Sequence, residues 1–288
     1  MAQHRLPWWR ILAANPLTVV AVVILLGVLV AALAGPVLAP YGVNAIDVTR
    51  ALQPPSTAHW FGTDELGRDQ LSRVLSGTRV SLQVAVVSVA FALGVGVTIG
   101  VLAGYLGSWV DVILMRMVDV LFAFPVILLA LAIITILGPG VWTTTVAVGV
   151  VYTPIFARVC RASTMSVSVE PFVQVSRTMG TGHGFILVRH VLPNISGPIV
   201  VQASVSLAFA ILSEATLSFL GLGIQPPQPS WGRMIFDAQS FLYQAWWMSV
   251  FPGAAIFVTV LGFNLLGDGL RDVIDPRQRG LAEIRIRR

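Results

Sequence analysis

Residues 158–196 read RVCRASTMSVSVEPFVQVSRTMGTGHGFILVRHVLPNIS, a polar interlude in a chain otherwise hydrophobic enough to sit in lipid. Its first half predicts a short helix over Val169–Met179. Ser168 is placed to cap the orphan N–H groups, Glu170 suits the positive end of the helix dipole, and Pro171 falls in the first turn, where its missing N–H costs nothing. Gly180 then stops the helix. Phe172, Val175, Ser176 and Met179 recur at i, i+3, i+4 and i+7, so one face can dock while Gln174, Arg177 and Thr178 stay wet. Gly180, Gly182 and Gly184 make a turn, and a second segment, Phe185 to Leu192, carries Arg189 and His190 up to a break at Pro193. The expected unit is helix, turn, helix at a membrane surface. Its rival is a solvated loop that happens to contain a helix.

The surrounding composition excludes a soluble domain. The 288 residues are 56% hydrophobic and 11% charged, against about 25% charged in soluble domains, and the mean hydropathy is +0.84. All 18 basic residues are arginine, which removes a P-loop lysine, a Schiff-base lysine and a Ser-Lys dyad together. The chain cannot bind ATP in the Walker manner. A single cysteine, Cys160, excludes internal disulfides and Cys-x-x-Cys motifs, and four scattered histidines (His4, His59, His183, His190) supply no H-E-x-x-H site. The pI of 10.3 invites a nucleic-acid reading, but the arginines are spread over membrane-flanking loops, where lipid headgroups and topology account for them. No nucleic-acid partner, metal site or catalytic residue is expected.

Hydrophobic runs divide the chain into an N-terminal segment 1–16, an anchor 17–39, an external segment 40–78, a core 79–271 and a tail 272–288. Arg5, Trp8, Trp9 and Arg10 form a basic and aromatic collar before the first span, Leu17 to Leu38. Ala32-Leu33-Ala34 imitates a signal-peptidase site, yet the preceding apolar run exceeds the usual length of about 7–15 residues, so the anchor reads as uncleaved. In the external segment Thr63 is the expected cap of an interfacial helix, with Asp64 and Glu65 in its first turn and Leu71, Val74 and Leu75 on its apolar side. Asp64, Glu65 and Asp69 read as helix-flanking charges; a metal or acid-base site is the alternative.

The second span, Val80 to Leu106, places Gly96, Gly100 and Gly104 four residues apart, a strip on which another helix can lie closely. The third span runs to Leu137, with Pro125 inside it and Arg116 and Asp119 three apart and able to pair. A short fourth span, Val141 to Ala157, contains Pro154 and leads into the polar unit, with Cys160 at its end. The fifth, Ile195 to about Leu220, carries a single acid, Glu214. Proline density forbids a regular helix at the start of segment 221–247, and Met248 to Leu266 is the sixth span, entered through Trp246 and Trp247. With the N-terminus inside, thirteen arginines fall on the cytoplasmic side and Arg50, Arg68, Arg73, Arg79 and Arg233 outside, as the positive-inside rule requires.

Four stretches resemble one family. Gln174-Val175-Ser176, Gly180 and Leu192-Pro193 are similar in spacing to the E-A-A, G, L-P signature of permease subunits of bacterial ABC importers, and Arg189 to Asn194 looks like its ending in the dipeptide and oligopeptide branch. GTDELGRD at 62–69 is very similar to a string in the C-type permeases of dipeptide, oligopeptide and nickel importers. EATLSFLGLG at 214–223, running into Pro226 and Trp231-Gly232, and the tail motifs GDGLRD at 267–272 and DPR at 275–277 resemble the same branch. The chain departs from the signature where Gln174, Val175 and Ser176 replace Glu, Ala and Ala, and in the added Gly182 and Gly184.

The resemblance implies an all-α protein with six membrane helices in the type I ABC importer permease fold, sited in the bacterial inner membrane with both termini cytoplasmic. It implies a transport subunit for di- or oligopeptides, with nickel or another small solute as the alternative. Its partners would be a second permease in a heterodimer, two ATPase subunits that bind the ATP and magnesium, an extracytoplasmic binding protein and membrane lipid; this chain would hold no cofactor. The coupling helix would present Glu170, Phe172, Val173, Gln174, Val175, Ser176, Arg177, Met179 and Gly180 to an ATPase. Glu214, at the outer mouth, Ser218 and Asp119 are the candidates for the pathway. The rivals are an intramembrane enzyme, which would need Asp pairs, a Ser-His couple or a His cluster in the membrane, and a channel or self-sufficient carrier, which internal repeats would support.

Overall fold

A computed structural model describes residues 15–274; the N-terminal collar and the tail from Asp275 onward lie outside them. In hydrocarbon every backbone N–H and C=O must be met within its own segment, so uncharged apolar runs become helices. The chain order is α1 (Pro16–Leu38), a single 3₁₀ turn (Val48–Arg50), α2 (Gln70–Leu106), α3 (Ser108–Phe122), α4 (Val126–Leu137), α5 (Val141–Ser168), α6 (Pro171–Thr178), α7 (His183–Ile186), a π-helical turn (Leu187–Val191), α8 (Leu192–Phe219), α9 (Trp231–Ala238) and α10 (Trp247–Ile274). Five helical runs are each long and apolar enough to cross a membrane, and the pair α3 and α4 makes a sixth when counted as one broken span.

The expected interfacial helix at Thr63 is absent. Gly67 takes a left-handed φ of +73°, which stops any helix there, and the cap is Asp69, whose carboxylate accepts from the Ser72 backbone N–H at 2.8 Å. One 37-residue helix therefore runs from Gln70 to Leu106, so the boundary drawn at residue 79 falls inside α2. Thr63 is buried. Its hydroxyl accepts from the Gln53 N–H at 2.8 Å and donates to the Arg50 carbonyl.

The third span also differs from expectation, because α3 and α4 meet at 88°. Pro125 lacks the N–H that would continue the helix and biases Phe124 away from helical backbone.

The glycine strip on α2 packs as predicted. A Cβ on Gly96 would stand 2.6 Å from the Phe156 Cβ, one on Gly100 would overlap the Ala157 carbonyl, and one on Gly104 would lie 2.7 Å from the Arg161 carbonyl. Only glycine lets α2 approach α5 this closely, backbone to backbone. Around this pair Ala85, Val89, Ala92, Ile134, Val148, Phe156, Ala210, Ile211 and Trp231 form the main buried core.

Segments 39–69 and 220–246 gather at one end of the bundle. There Trp247 Nε1 donates to the Thr63 carbonyl at 3.0 Å, Gln70 Nε2 to the Met248 carbonyl at 3.1 Å and Trp231 Nε1 to the Val74 carbonyl at 3.2 Å. Trp247 is thus buried in this cap, and Trp246 alone of the pair is exposed as an interfacial aromatic would be. The opposite end carries the α2–α3 turn and the helix-turn-helix unit.

Candidate functional site

The polar interlude folds as helix, turn, helix with altered caps. Ser168 is the last residue of α5, and its hydroxyl meets no partner. Glu170 occupies the N-cap position of α6 without a side-chain capping bond; Pro171 at the first helical position has already removed one orphan donor. Gln174 Nε2 instead donates to the Ser168 carbonyl at 3.0 Å, closing the corner between α5 and α6.

At the other end Gly180 adopts φ +76°. The Thr181 N–H donates to the Ser176 carbonyl at 3.1 Å and the Gly180 N–H to the Arg177 carbonyl at 3.0 Å, the paired bonds of a Schellman stop that needs a left-handed residue. Gly182 has an ordinary φ of −60°, so the turn depends on Gly180.

The inward side of α6 is a wedge. Val173 is fully buried with Val101 and Tyr105 of α2, Cys160 of α5, and Ile186, Val191 and Ile195 of the following run. Arg177, expected in water, folds back so that its guanidinium stands 4.3 Å over the Tyr105 ring, a cation–π contact. The Tyr105 hydroxyl in turn lies 3.1 Å from His183 Nδ1.

The outward side is apolar and uncovered among the described residues. Val169, Phe172, Val175 and Met179 stand out from the protein, with Phe185 and Val188 beside them; Met179 is 78% exposed. Glu170, Gln174 and Thr178 rim them in solvent.

Pro193 does not end the second segment. The π-helical turn widens the backbone just before it, the Leu192 N–H reaches the Leu187 carbonyl, and Asn194 Nδ2 donates to the His190 carbonyl at 2.6 Å. The proline is absorbed by the wider turn, and residues 183–219 form one unbroken rod.

The pathway candidates separate. Glu214 and Ser218 come together, the Ser218 hydroxyl donating to the Glu214 carboxyl at 2.8 Å, and both are fully buried within this chain at the cap end. Neither faces water. Asp119 lies at the opposite end, half exposed, where it pairs with Arg158 at 2.8 Å and not with Arg116. Nearby Arg161 grips Asp111 with two bonds of 2.5 and 2.6 Å. Met115, Asp119, Arg158 and Arg161 line an open hollow of about 390 Å³.

Sequence reasoning missed a buried charge network at the cap, because it took these acids as helix flanks. His59 Nδ1 lies 2.8 Å from Asp69; Arg68 pairs with Asp64 at 2.5 Å and Glu65 at 2.7 Å; Arg73 reaches Asp64 at 3.4 Å. The density of opposite charges within GTDELGRD and the following Arg73 was the available signal. Burial, and next the Asp64 charge, raise the Glu65 carboxyl above its ordinary range, outweighing Arg68; burial does the same for Asp237 of α9 despite Arg233.

A helix-turn-helix uncovered among the described residues at one end of a bundle of long apolar helices, with a charged cap at the other, agrees with the sequence comparisons. Residues 96–280 match the family of binding-protein-dependent transport system inner membrane components. The chain belongs to that family. Residues 7–55 of the permease also match the N-terminal transmembrane domain of oligopeptide transport permease C. The permease is 42% identical to the dipeptide transport system permease protein DppC of Alkalihalophilus pseudofirmus, over 95% of this chain and 91% of that one. It is 45% identical to the glutathione transport system permease protein GsiD of Pectobacterium atrosepticum (95% and 92% covered) and 41% identical to the probable D,D-dipeptide transport system permease protein DdpC of Escherichia coli (96% and 92%). Its fold is similar to that of a chain in the inward-facing MetNI methionine ABC transporter, with a TM-score of 0.58 at 19% identity over 70% of this chain and 96% of that one. The all-α ABC importer permease fold inferred from the sequence motifs is the one found.

Proposed function

We propose that this permease forms half of the pathway of an ATP-driven importer of short peptides and seats α6 on a cytoplasmic ATPase. The relatives named for dipeptides and for glutathione, itself a tripeptide, support the substrate class. The observation that carries the coupling role is the uncovered face of Val169, Phe172, Val175 and Met179 on a helix fixed from behind by Val173 and Arg177. Such a face in water needs a protein partner. A second permease, two ATPases that hold the ATP and magnesium, and an external binding protein complete the assembly; this chain performs no catalysis and binds no cofactor. Both termini lie in the cytoplasm of a bacterial inner-membrane protein, in line with the arginine bias.

The test combines topology with coupling. Cys160 is buried and reports poorly, so Val48→Cys and Met179→Cys, both at exposed positions, are placed in a Cys160→Ser background. An impermeant maleimide added to intact cells should label the first, and the second only after permeabilisation. Purification in mild detergent should bring down an ATPase pair with the wild type, and vesicles should hydrolyse ATP faster with peptide-loaded binding protein. Reversed labelling, or a permease that purifies without an ATPase, would sink the proposal.

A further inference from the structure

The rod of residues 183–219 has two anchored ends. At one, Ile186, Val191 and Ile195 are buried against Val173 of α6. At the other, the cap is fastened to α8 around a single buried acid. Glu214 is fully buried and no arginine pairs with it among the described residues. Its Oε1 accepts from Ser218 at 2.8 Å, and the same Ser218 hydroxyl accepts from the Ile224 N–H at 3.2 Å. Ser81 of α2 and Ser230 at the head of α9 bring hydroxyls toward the same carboxyl, yet Oε2 has no partner of good hydrogen-bond geometry. The backbones are in contact here as well. A Cβ on Gly232 would lie 2.6 Å from the Ala215 Cα, and one on Gly223 would overlap the Ser218 side chain.

An isolated carboxylate in a spanning helix is expensive, by about 2.5–3.5 kcal/mol or more, and ordinary packing would serve if the only need were to hold α8 in place. What the carboxyl holds is the Ser218 hydroxyl, and that hydroxyl takes the Ile224 N–H of the cap segment, while Ser81 of α2 takes the Trp231 N–H at the start of α9. A shift of the cap relative to α8 would break the Ile224 bond to Ser218, the hydroxyl that Glu214 orients, and the close approach of Gly232 to Ala215. We propose that Glu214 is a positioning residue of the transport cycle: the outer anchor that makes the cap and the rod move together, so that engagement of the cap is felt at the coupling unit on the rod's far end. The π-helical turn at Leu187–Val191 lies within the rod, where Val191 packs with Val173 of α6, so a displacement of the rod would reach α6 there. The inference rests on the coupling reading proposed above.

The experiment uses the complete importer in vesicles and measures ATP hydrolysis with and without peptide-loaded binding protein. Wild type should be stimulated; absence of stimulation would remove the coupling reading itself, before any variant is considered. Glu214→Gln, which keeps the shape and the hydrogen bonds, should retain stimulation. Glu214→Leu should keep assembly and basal hydrolysis while stimulation falls roughly fivefold or more, the lower end of ordinary coupling between distant sites. Full stimulation in Glu214→Leu would overturn the inference, as would a Glu214→Gln variant no better than Glu214→Leu, which would make charge the requirement. If Glu214→Leu fails to assemble, Ser218→Ala decides, because Ser218 is the hydroxyl that joins Glu214 to the cap: reduced stimulation at normal basal rate supports the anchor, and wild-type stimulation overturns it.

Discussion

Asp119 accepts from Arg158 at 2.8 Å, from a helix 39 residues further along the chain, and leaves Arg116 three residues before it unpaired among the described residues. The pair ties the broken span to α5. Arg158 also lies 3.8 Å over the Phe122 ring, at the lip of the 88° bend. Both side chains are half exposed, so the pair itself contributes at most about 1 kcal/mol, but it fixes how α3 leaves the bundle. Asp119→Arg and Arg158→Asp should each lower uptake, and the double reversal should recover most of it. A double reversal as weak as the single ones would instead give Asp119 a direct role in the pathway.

Gly100 provides a packing prediction. Gly100→Ala places a methyl on the Ala157 carbonyl, and no rotamer relieves it. The cost of such overpacking is about 1–3 kcal/mol, read as a lower melting temperature in detergent. Gly94→Ala, on the same helix with open space at its Cβ, should be neutral or slightly stabilising.

The stop of α6 separates folding from coupling. Nothing lies within 4 Å of a Cβ on Gly180, so the only penalty of Gly180→Val is the left-handed backbone, about 1–2 kcal/mol. Membrane insertion should survive while uptake falls and ATP hydrolysis ceases to follow the loaded binding protein. Gly182→Ala, at a normal φ, should transport normally. Equal behaviour of the two variants would show that the Schellman stop is irrelevant.

Phe172 and Val173 are neighbours with opposite jobs. Phe172→Ala removes an exposed ring and should leave the melting temperature nearly unchanged while weakening retention of the ATPase. Val173→Ala empties a fully buried site and should destabilise the permease by roughly 1–3 kcal/mol. A variant pair with the pattern reversed would place the docking face on the wrong side of α6.

The cap should be sensitive to pH. Glu65 and Asp237 both have raised folded values, chiefly from burial, so these two carboxyls bind protons more tightly in the folded cap than in the unfolded chain. Their contribution is fully present below the ordinary carboxylate values of 4.5 and 3.8 and is lost as pH rises through the raised ones. Melting in detergent should therefore improve on mild acidification, and Glu65→Gln with Asp237→Asn should flatten that dependence. A melting temperature that rises with pH in that window would contradict the burial argument.

The sequence by itself determined the membrane class, the order of the apolar runs though not their ends, the close α2–α5 contact, and the short helix with its stop at Gly180. These follow from local properties: apolar run length, four-residue glycine spacing, and the one residue type at ease with positive φ. Only the tertiary structure decided which charges pair. It took Asp119 from Arg116 to Arg158, turned Arg177 inward onto Tyr105, and placed Thr63 in a buried turn while Asp69 capped α2. It also buried Glu214, expected at an outer mouth, inside this chain against Ser218. The physical reason is common to all four. A cap, an ion pair or a buried acid takes the partner that lies nearest in space, and in a bundle of long helices that partner is set by how the helices cross, which spacing along the chain does not encode.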